Sequence, residues 1–300
     1  MKKLNMAVLG AGVFGNYHAG KITSHPEANL IGIIDHSPAR ATKLAKDHNT
    51  RMFQSLSDAM PLIDAVIIAV PATQHSDTGL QALRAGKHVL IEKPIASDLK
   101  GAEALLSVAR EKGLVLQVGH QERFVLRAAG IADIKETPLR IESQRMGPFS
   151  PRNNDVSVTL DLMIHDIDMI LSLMGAPTAC KGESLQIISN ERDVALGFLT
   201  FQNGGTARIQ ASRVEDTSLR TMRLIYPSGE INIDFNSKTL SHNTPYALKT
   251  DFGQDPDAKD SLGAADWAFI RSCLHGAPVA ISGENGLAAL KVALQIDGDL

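Results

Sequence analysis

Short apolar runs alternate with amphipathic stretches over the first 119 residues of the chain. This alternation is typical of a parallel β-sheet covered by helices. It predicts strands at Met6–Leu9, Leu30–Asp35, Ala65–Val70, His88–Ile91 and Val115–Val118. It predicts helices between them, notably at Pro38–His48, Ser76–Ala85 and Leu99–Lys112. Ser97 or Asp98 is expected to cap the last of these helices, and Gly113 to end it.

After Gly119 the pattern changes to one helical stretch, Val158–Met174, followed by closely spaced strand-like segments. The predicted strands are Leu185–Ser189, Ala195–Gln202, Thr206–Ser212, Met222–Tyr226 and Glu230–Phe235. Turn signals separate them at residues 203–205 and 227–229. Two helices, around Ala264–Leu274 and Glu284–Gln295, follow. The pattern therefore predicts an α/β domain with a parallel sheet at residues 1–119. An α+β domain with an open, mainly antiparallel sheet is expected at residues 120–300.

The predicted strand that begins at Ala195 is apolar on both of its faces. Leu196 and Phe198 lie on one face, and Leu199 and Phe201 on the other. An antiparallel sheet in a lone domain usually keeps one polar face. Two explanations are open: the second face is buried in a homo-oligomer (a dimer or tetramer), or a loop or terminal helix covers it.

Composition narrows the class of protein. The formal net charge of −3 is weakly acidic and gives no footprint for nucleic acid. The two cysteines, Cys180 and Cys273, lie outside any CxxC pattern, which indicates a reducing compartment without disulfides or a zinc site. Ala65–Val70, the longest apolar run, is too short to span a bilayer. A signal peptide after Lys2 and Lys3 is disfavoured because glycines interrupt the apolar stretch. We expect a soluble cytoplasmic protein that binds no membrane.

A glycine-rich turn, Gly10-Ala11-Gly12-Val13-Phe14-Gly15, follows the first predicted strand and opens a helix. In this context the GxGxxG spacing indicates a Rossmann dinucleotide-binding unit. Gly10 permits the tight turn, Gly12 lets the backbone approach the pyrophosphate, and Gly15 lets the helix pack on the strand. The helix N-terminus offers N–H groups to the phosphates. Gly10, Gly12, Val13, Phe14 and Gly15 are therefore predicted cofactor-binding residues.

Asp35 ends the second predicted strand about 20 residues after the last glycine of the turn, where an acid is expected to accept hydrogen bonds from the adenine ribose. Its charge would repel a 2′-phosphate, so NAD is favoured over NADP. Arg40, five residues further, could partly offset that repulsion and is included in the predicted cofactor site. The simpler role for Asp35, capping the next helix, is compatible with ribose binding.

Four segments carry a resemblance to a known family. Besides the glycine turn with His18, they are Val70-Pro71-Ala72-Thr73-Gln74-His75, then residues 85–94 ending in Glu92-Lys93-Pro94, and Asp161-Leu162-Met163-Ile164-His165-Asp166-Ile167-Asp168. The Glu-Lys-Pro triplet together with Asp-x-x-x-His resembles the glucose–fructose oxidoreductase/inositol dehydrogenase-type (Gfo/Idh/MocA) proteins.

The resemblance implies a Rossmann domain and an open-sheet α+β domain with substrate held in the cleft between them. It implies that Lys93 and His165 are catalytic and that Asp161 orients substrate or His165. It also implies a cofactor environment made of Pro71, Thr73, His75, Glu92 and Lys93. Residues 119–124 and 161–174 are similar to a branch acting as UDP-N-acetylglucosamine 3-dehydrogenases, although Val125-Leu126 stand where that branch has Asn-Pro.

The residue types fit oxidation of a secondary alcohol. Histidine is the usual base for the hydroxyl proton, and a nearby lysine stabilises the developing alkoxide. Asp161 and His165 are four apart in a helical pattern, so both are expected on one face, with Asp168 continuing it. A metal site made of these residues and Asp166 is disfavoured because the four do not share a face.

Arginines near the predicted substrate site are candidates for binding a diphosphate, since the guanidinium fork matches phosphate oxygens. They are Arg123, Arg145 and Arg152, of which Arg123 and Arg152 are assigned to substrate; most exposed arginines are simply solvated. The expected function is NAD(P)-dependent oxidation of a secondary hydroxyl of a sugar or sugar nucleotide, at C3 of UDP-N-acetylglucosamine if the branch holds. The alternatives are an NAD-retaining glycosidase of the same family and a non-catalytic cofactor-binding protein.

Overall fold

The computed structural model describes residues 3–150 and 155–300 and divides into two compact units. The first unit comprises the chain up to Gly119 together with Leu262–Leu287, and the second comprises His120–Ser261 together with Ala288–Leu300. The sequence placed everything after residue 119 in one domain. The structure instead assigns Leu262–Leu287 to the first unit, because Phe269 and Ile270 are fully buried in that unit's hydrophobic core.

A six-stranded parallel sheet forms the centre of the first unit, in the order β3-β2-β1-β4-β5-β6. The strands are β1 Leu4–Leu9, β2 Ala28–Ile34, β3 Arg51–Phe53, β4 Ala65–Ile68, β5 His88–Ile91 and β6 Leu116–Val118. The helices are α1 Val13–Ser24, α2 Pro38–Asp47, α3 Leu56–Ala59, α4 His75–Arg84 and α5 Leu99–Lys112. This order is that of the Rossmann fold, in which successive strands are added on one side of β1 and then, from β4 onward, on the other side.

Burial and capping explain these elements. All four residues of β4 are buried, as expected for a central strand of a sheet covered on both faces. At α5 the predicted cap is confirmed: the Asp98 carboxylate accepts the Gly101 N–H, and Gly113 ends the helix with a left-handed backbone at φ 62°. The predicted α/β fold with a parallel sheet is confirmed.

The second unit contains a seven-stranded sheet in the order β13-β12-β11-β7-β10-β9-β8. Its strands are β7 Arg140–Met146, β8 Pro177–Leu185, β9 Val194–Phe201, β10 Thr206–Ser212, β11 Leu219–Tyr226, β12 Gly229–Asp234 and β13 Thr239–His242. The helices are α6 Glu122–Ala128, α7 Ile164–Met174 and α8 Pro256–Lys259, followed along the chain by α9 Ser261–His275 and α10 Gly283–Asp297. All neighbouring pairs are antiparallel except β7 with β10, so the mainly antiparallel sheet is confirmed.

One predicted strand, Leu185–Ser189, is wrong. The backbone N–H groups of Ile187, Ile188 and Ser189 all donate to the Asp193 carboxylate rather than to a neighbouring strand. Burial opposes the charge of Asp193, but the Ser189 hydroxyl, the Ile187 and Ile188 N–H groups and Arg213 Nε all donate to it and hold its pKa well below the usual range. An apolar segment therefore forms a loop folded around a buried carboxylate.

The two faces of β9 differ in burial. Leu199 and Phe201 are buried, on the same side as Gly197, where a Cβ atom would meet the Ile296 side chain of α10. On the opposite side Phe198 is 47% exposed. In the described parts of the chain, no loop or terminal helix covers Phe198, so that explanation for its apolar character is not realised.

None of the helices formed by residues 3–150 and 155–300 combines the length and apolar character needed to cross a membrane.

Candidate active site

The carboxyl ends of four parallel strands bring the predicted cofactor residues of the first unit to one edge of its sheet. Gly10 follows β1, Asp35 follows β2, and Pro71 lies three residues beyond the end of β4. Glu92 and Lys93 follow β5 directly. Ligands of open α/β sheets bind at this edge, where the strand order reverses. The topology therefore collects residues that are up to 83 positions apart in sequence.

The glycine turn has the geometry that a dinucleotide pyrophosphate requires. Gly10 has φ +109°, and a Cβ atom there would collide with the backbone of Ala69. At Gly15 a Cβ would collide with the Gly10 carbonyl oxygen. Gly12, by contrast, has no heavy atom within 4 Å of its Cβ position and is exposed at the start of α1. Because a side chain would fill this open space, the turn fits the close approach of a phosphate group.

Asp35 is buried and already holds three local groups. Its Oδ2 accepts the Ala11 N–H at 2.7 Å, and its Oδ1 accepts the Ser37 N–H at 2.7 Å and Arg40 Nη2 at 2.9 Å. Burial opposes its charge, but these donors outweigh that effect and keep the pKa of Asp35 below its usual value. The carboxylate thus joins the glycine turn to the start of α2 and stays ionised where the ribose is expected.

Other predicted cofactor residues differ in accessibility. Val13 and Phe14 are exposed on the first turn of α1, and Pro71 and Thr73 are exposed after β4. His75 is buried, and both of its ring nitrogens face backbone carbonyl oxygens: Nδ1 is 2.6 Å from Pro94 O and Nε2 is 2.9 Å from Val70 O. Its part in a cofactor site is therefore indirect, since it braces the chain on either side.

Lys93 lies between two buried residues. Glu92, just before it, is buried and its Oε1 is 3.1 Å from His18 Nε2. Pro94, just after it, is joined by a cis peptide bond and offers its carbonyl to His75. Lys93 itself is half-buried. The strand end therefore presents one lysine from a backbone that is held on both sides.

In the second unit, Asp161 and His165 lie on one helical segment. The predicted helix over Val158–Met174 is present, but residues Thr159–Met163 form a wider π-helical turn before α7 begins at Ile164. Asp161 is buried within this turn and His165 is half-buried on the first turn of α7. Single π-helical turns occur frequently at functional sites.

The helix is anchored from two sides by ion pairs whose carboxylates are buried. Asp166 binds the Arg145 guanidinium of β7 at 2.8 Å, and Asp168 binds Arg123 of α6 in a two-pronged pair at 2.6 and 2.7 Å. Arg145 also contacts Glu122 at 3.1 Å. Burial disfavours the Arg145 cation, but the two carboxylates overcome this and raise its pKa. These pairs fix the rotation of α7 about its axis.

A third anchor holds the π-helical turn itself. The Ser157 and Thr159 hydroxyls both donate to the Asp297 carboxylate at the end of α10, at 2.5 and 2.7 Å. All three residues are buried. The hydroxyls flank the start of the segment that carries Asp161, so this clamp sets where the segment begins.

The arginines expected to bind phosphate differ in whether their guanidinium groups remain available for it. Arg145 is buried and committed to Asp166 and Glu122, so it is not available for a diphosphate. Arg123 is partly exposed but uses Nε and Nη2 on Asp168, which a phosphate would have to displace or bypass. Arg152 lies outside the described residues. Among the described residues, no group of three or more His, Cys, Asp or Glu side chains is placed to hold a metal ion.

Two buried acids that hold the segments carrying the candidate site residues, Asp266 and Asp297, were not predicted from the sequence. Asp266 of α9 contacts His18 Nδ1 with both carboxylate oxygens at 2.9 Å, and Asp297 clamps the π-helical turn. The only sequence signal for Asp266 was an acid within the predicted helix Ala264–Leu274, and Asp297 lies two residues beyond the predicted helix Glu284–Gln295. Nothing local indicated which partners, 248 and about 140 positions away, they would meet.

The fold and these motifs define the class of protein. Residues 4–120 match the family model described as "Oxidoreductase family, NAD-binding Rossmann fold". Residues 138–231 match the Gfo/Idh/MocA C-terminal domain. The chain therefore belongs to the Gfo/Idh/MocA oxidoreductase family and is a nicotinamide-dependent dehydrogenase, which confirms the resemblance, the cofactor class and the enzyme class.

Similarity to individual proteins extends over the whole chain. A UDP-N-acetylglucosamine 3-dehydrogenase of Acidithiobacillus ferrooxidans is 33% identical, covering 99% of this chain and 97% of its own. A solved structure of that enzyme, GnnA, aligns with a TM-score of 0.91, covering 100% and 98% of the two chains. A scyllo-inositol 2-dehydrogenase (NAD(+)) of Bacillus subtilis is 29% identical over 70% of this chain and 68% of its own. By their names, these two relatives are dehydrogenases of a sugar nucleotide and of an inositol.

Proposed function

We propose that this chain oxidises a secondary hydroxyl of a sugar nucleotide, at C3 of UDP-N-acetylglucosamine, with NAD as the hydride acceptor. The observation that carries this proposal is the end-to-end likeness to a protein named for that reaction, 33% identical over 99% of the chain. Lys93, Asp161 and His165, the residues to which the family resemblance gives catalytic roles, are all present. Sugar-nucleotide specificity rests on that likeness rather than on a described phosphate site.

NAD is proposed over NADP because of Asp35. Its carboxylate is held ionised at the end of β2 by two backbone N–H groups and Arg40. The 2′-phosphate on the adenine ribose of NADP would therefore be repelled by the Asp35 carboxylate. Arg40 is already paired with Asp35, so it offers little net positive charge to compensate.

We assign separate roles in the proposed reaction to three residues of the chain. When bound, NAD accepts the hydride that leaves the oxidised carbon. His165 accepts the proton of the substrate hydroxyl, a task suited to an imidazole near neutral pH. The Lys93 ammonium donates a hydrogen bond to the same oxygen and stabilises its developing negative charge. Asp161, one turn before His165, orients the imidazole or the substrate.

The test is a screen of the purified chain with NAD and, separately, NADP against UDP-N-acetylglucosamine, N-acetylglucosamine, free hexoses and inositol. We expect NADH to accumulate continuously with UDP-N-acetylglucosamine and much more slowly with the free sugars. Turnover of inositol alone would contradict the substrate assignment. Release of the sugar from UDP-N-acetylglucosamine without NADH accumulation would instead indicate the glycosidase alternative.

We also propose that the chain works as a homo-oligomer in the cytoplasm. The aromatic ring of Phe198 is exposed on one face of the second sheet, and Leu196 on the same face is half-buried. Phe198 lies between Lys181 and Arg208 of the neighbouring strands, so the support for an interface is these two apolar side chains and not a wholly apolar face. Cys180 and Cys273 are both free, as expected in a reducing compartment. Sedimentation equilibrium tests the assembly, and a monomer mass would contradict it.

A further inference from the structure

The backbone around Lys93 is tied to the rest of the first unit by a buried charged cluster. His18 on α1, Glu92 at the end of β5 and Asp266 on α9 are all buried. His18 Nδ1 lies 2.9 Å from each oxygen of Asp266, and His18 Nε2 lies 3.1 Å from Glu92 Oε1. We call these three residues the His18 cluster. It connects α9 to the residue that immediately precedes Lys93.

The geometry fixes the protonation state of His18. Carboxylates accept hydrogen bonds, and both ring nitrogens of His18 face a carboxylate. Each nitrogen must therefore carry a proton, which makes the ring an imidazolium. Burial opposes this charge, but Asp266 and then Glu92 overcome it and raise the pKa of His18 to about 10. The cluster is thus an imidazolium held between two carboxyl groups.

The Glu92 side chain has little freedom within this cluster. Its Oε1 would lie 2.8 Å from a Cβ atom placed on Gly119, so the carboxylate rests against the backbone at the end of β6. The Glu92 N–H donates to Ile68 O at 2.9 Å, and Gly119 N–H donates to Ile91 O at 2.8 Å. Backbone and side chain of Glu92 are therefore both fixed, and its carboxylate is paired with the His18 ring.

Stability alone is a weak reason for such a cluster. Buried ion pairs often contribute no more to stability than well-packed apolar groups of similar volume, because the charges lose their hydration. The cluster instead fixes the position of Glu92, and with it the backbone position of the next residue, Lys93. A displacement of about 1 Å at a catalytic group can cost about 100-fold in rate.

We propose that His18 and Asp266 are positioning residues for Lys93, acting through Glu92. This inference rests on the proposed function of Lys93 as the residue that stabilises the substrate oxygen. Asp266 would then serve the reaction although it lies 173 positions after Lys93, in a segment that the sequence alone assigns to the other domain.

The test uses Asp266→Asn, which keeps the shape of the side chain. The variant retains the His18–Glu92 pair, one cation and one anion, so no buried charge is left unpaired. A second variant, Glu92→Gln, retains the His18–Asp266 pair by the same logic. The matched control is His88→Gln, which removes a partly buried imidazole from the opposite end of the same strand, where it accepts the Val115 N–H. All are assayed well below their unfolding temperatures.

We expect Asp266→Asn and Glu92→Gln to lower kcat by about 10- to 100-fold, with the substrate KM nearly unchanged, while His88→Gln keeps the wild-type kcat. A readout without substrate follows the lysine itself: competitive acetylation of Lys93 relative to exposed Lys100, measured by mass spectrometry. That ratio is expected to change in the two cluster variants and not in the control.

If Asp266→Asn unfolds at a lower temperature but keeps both the wild-type kcat and the wild-type acetylation ratio, the cluster is structural only and the inference is overturned. If the wild-type chain turns over none of the substrates, the proposed function fails instead. The acetylation ratio then still reports whether the cluster positions Lys93.

Discussion

Replacing Asp297 tests whether the π-helical turn that carries Asp161 is held from behind. Asp297→Ala removes the acceptor of two buried hydroxyl groups, those of Ser157 and Thr159. Each buried hydroxyl left without a partner costs about 1–3 kcal/mol, so we expect a loss of about 2–6 kcal/mol. Because burial raises the pKa of the Asp297 carboxyl, its charge is a cost to the folded state, and Asp297→Asn should lose far less.

Thermal unfolding of the ligand-free protein measures this loss. At about 2–4 °C per kcal/mol for a chain of this size, Asp297→Ala should lower the unfolding temperature by roughly 4–24 °C. The control is Asp299→Ala, two residues further along, which breaks a half-exposed pair with Arg192. Such surface pairs contribute about 0–1 kcal/mol. Equal shifts for Asp297→Ala and Asp299→Ala would refute the clamp.

Three further predictions follow from buried charges. Arg145→Ala strands Asp166 inside the second unit and should cost about 3–5 kcal/mol in urea unfolding, whereas a loss below about 1 kcal/mol would contradict the pairing. Asp35→Ser frees Arg40 and should raise kcat/KM for NADP relative to NAD; an unchanged ratio in a cofactor titration would argue against the role of Asp35. Because the folded-state pKa of Asp193 is depressed, the stability it contributes is present above about pH 4 and lost as the pH falls. Asp193→Asn should therefore flatten the acid side of the stability profile, measured by chemical unfolding from neutral pH downward.

Sequence reasoning succeeded where burial and hydrophobic pattern coincide. His88–Ile91 and Leu99–Lys112 are predicted with the bounds that the structure shows, because an apolar run or an amphipathic repeat fills each element between clear stops. The glycine turn and Asp35 could be singled out as candidates because the backbone that binds a dinucleotide sets their spacing.

The same reasoning failed where polar groups are buried. Strand β7 was missed because two of its three buried positions are Ser143 and Arg145, whose burial no hydrophobic pattern can show. The opposite error occurred at Leu185–Ser189, where apolar residues form a loop around Asp193. His18 and Asp266 illustrate the limit for the site: each lies on a predicted helix, but their contact depends on tertiary packing.

Transfer of a labelled hydrogen tests the central claim most directly. The chain is incubated with NAD and UDP-N-acetylglucosamine carrying deuterium at C3, and the NADH formed is analysed by mass spectrometry. We expect deuterated NADH from the wild type, and none from His165→Asn or Lys93→Met variants that still bind NADH. Formation of unlabelled NADH, or undiminished turnover by either variant, would contradict it.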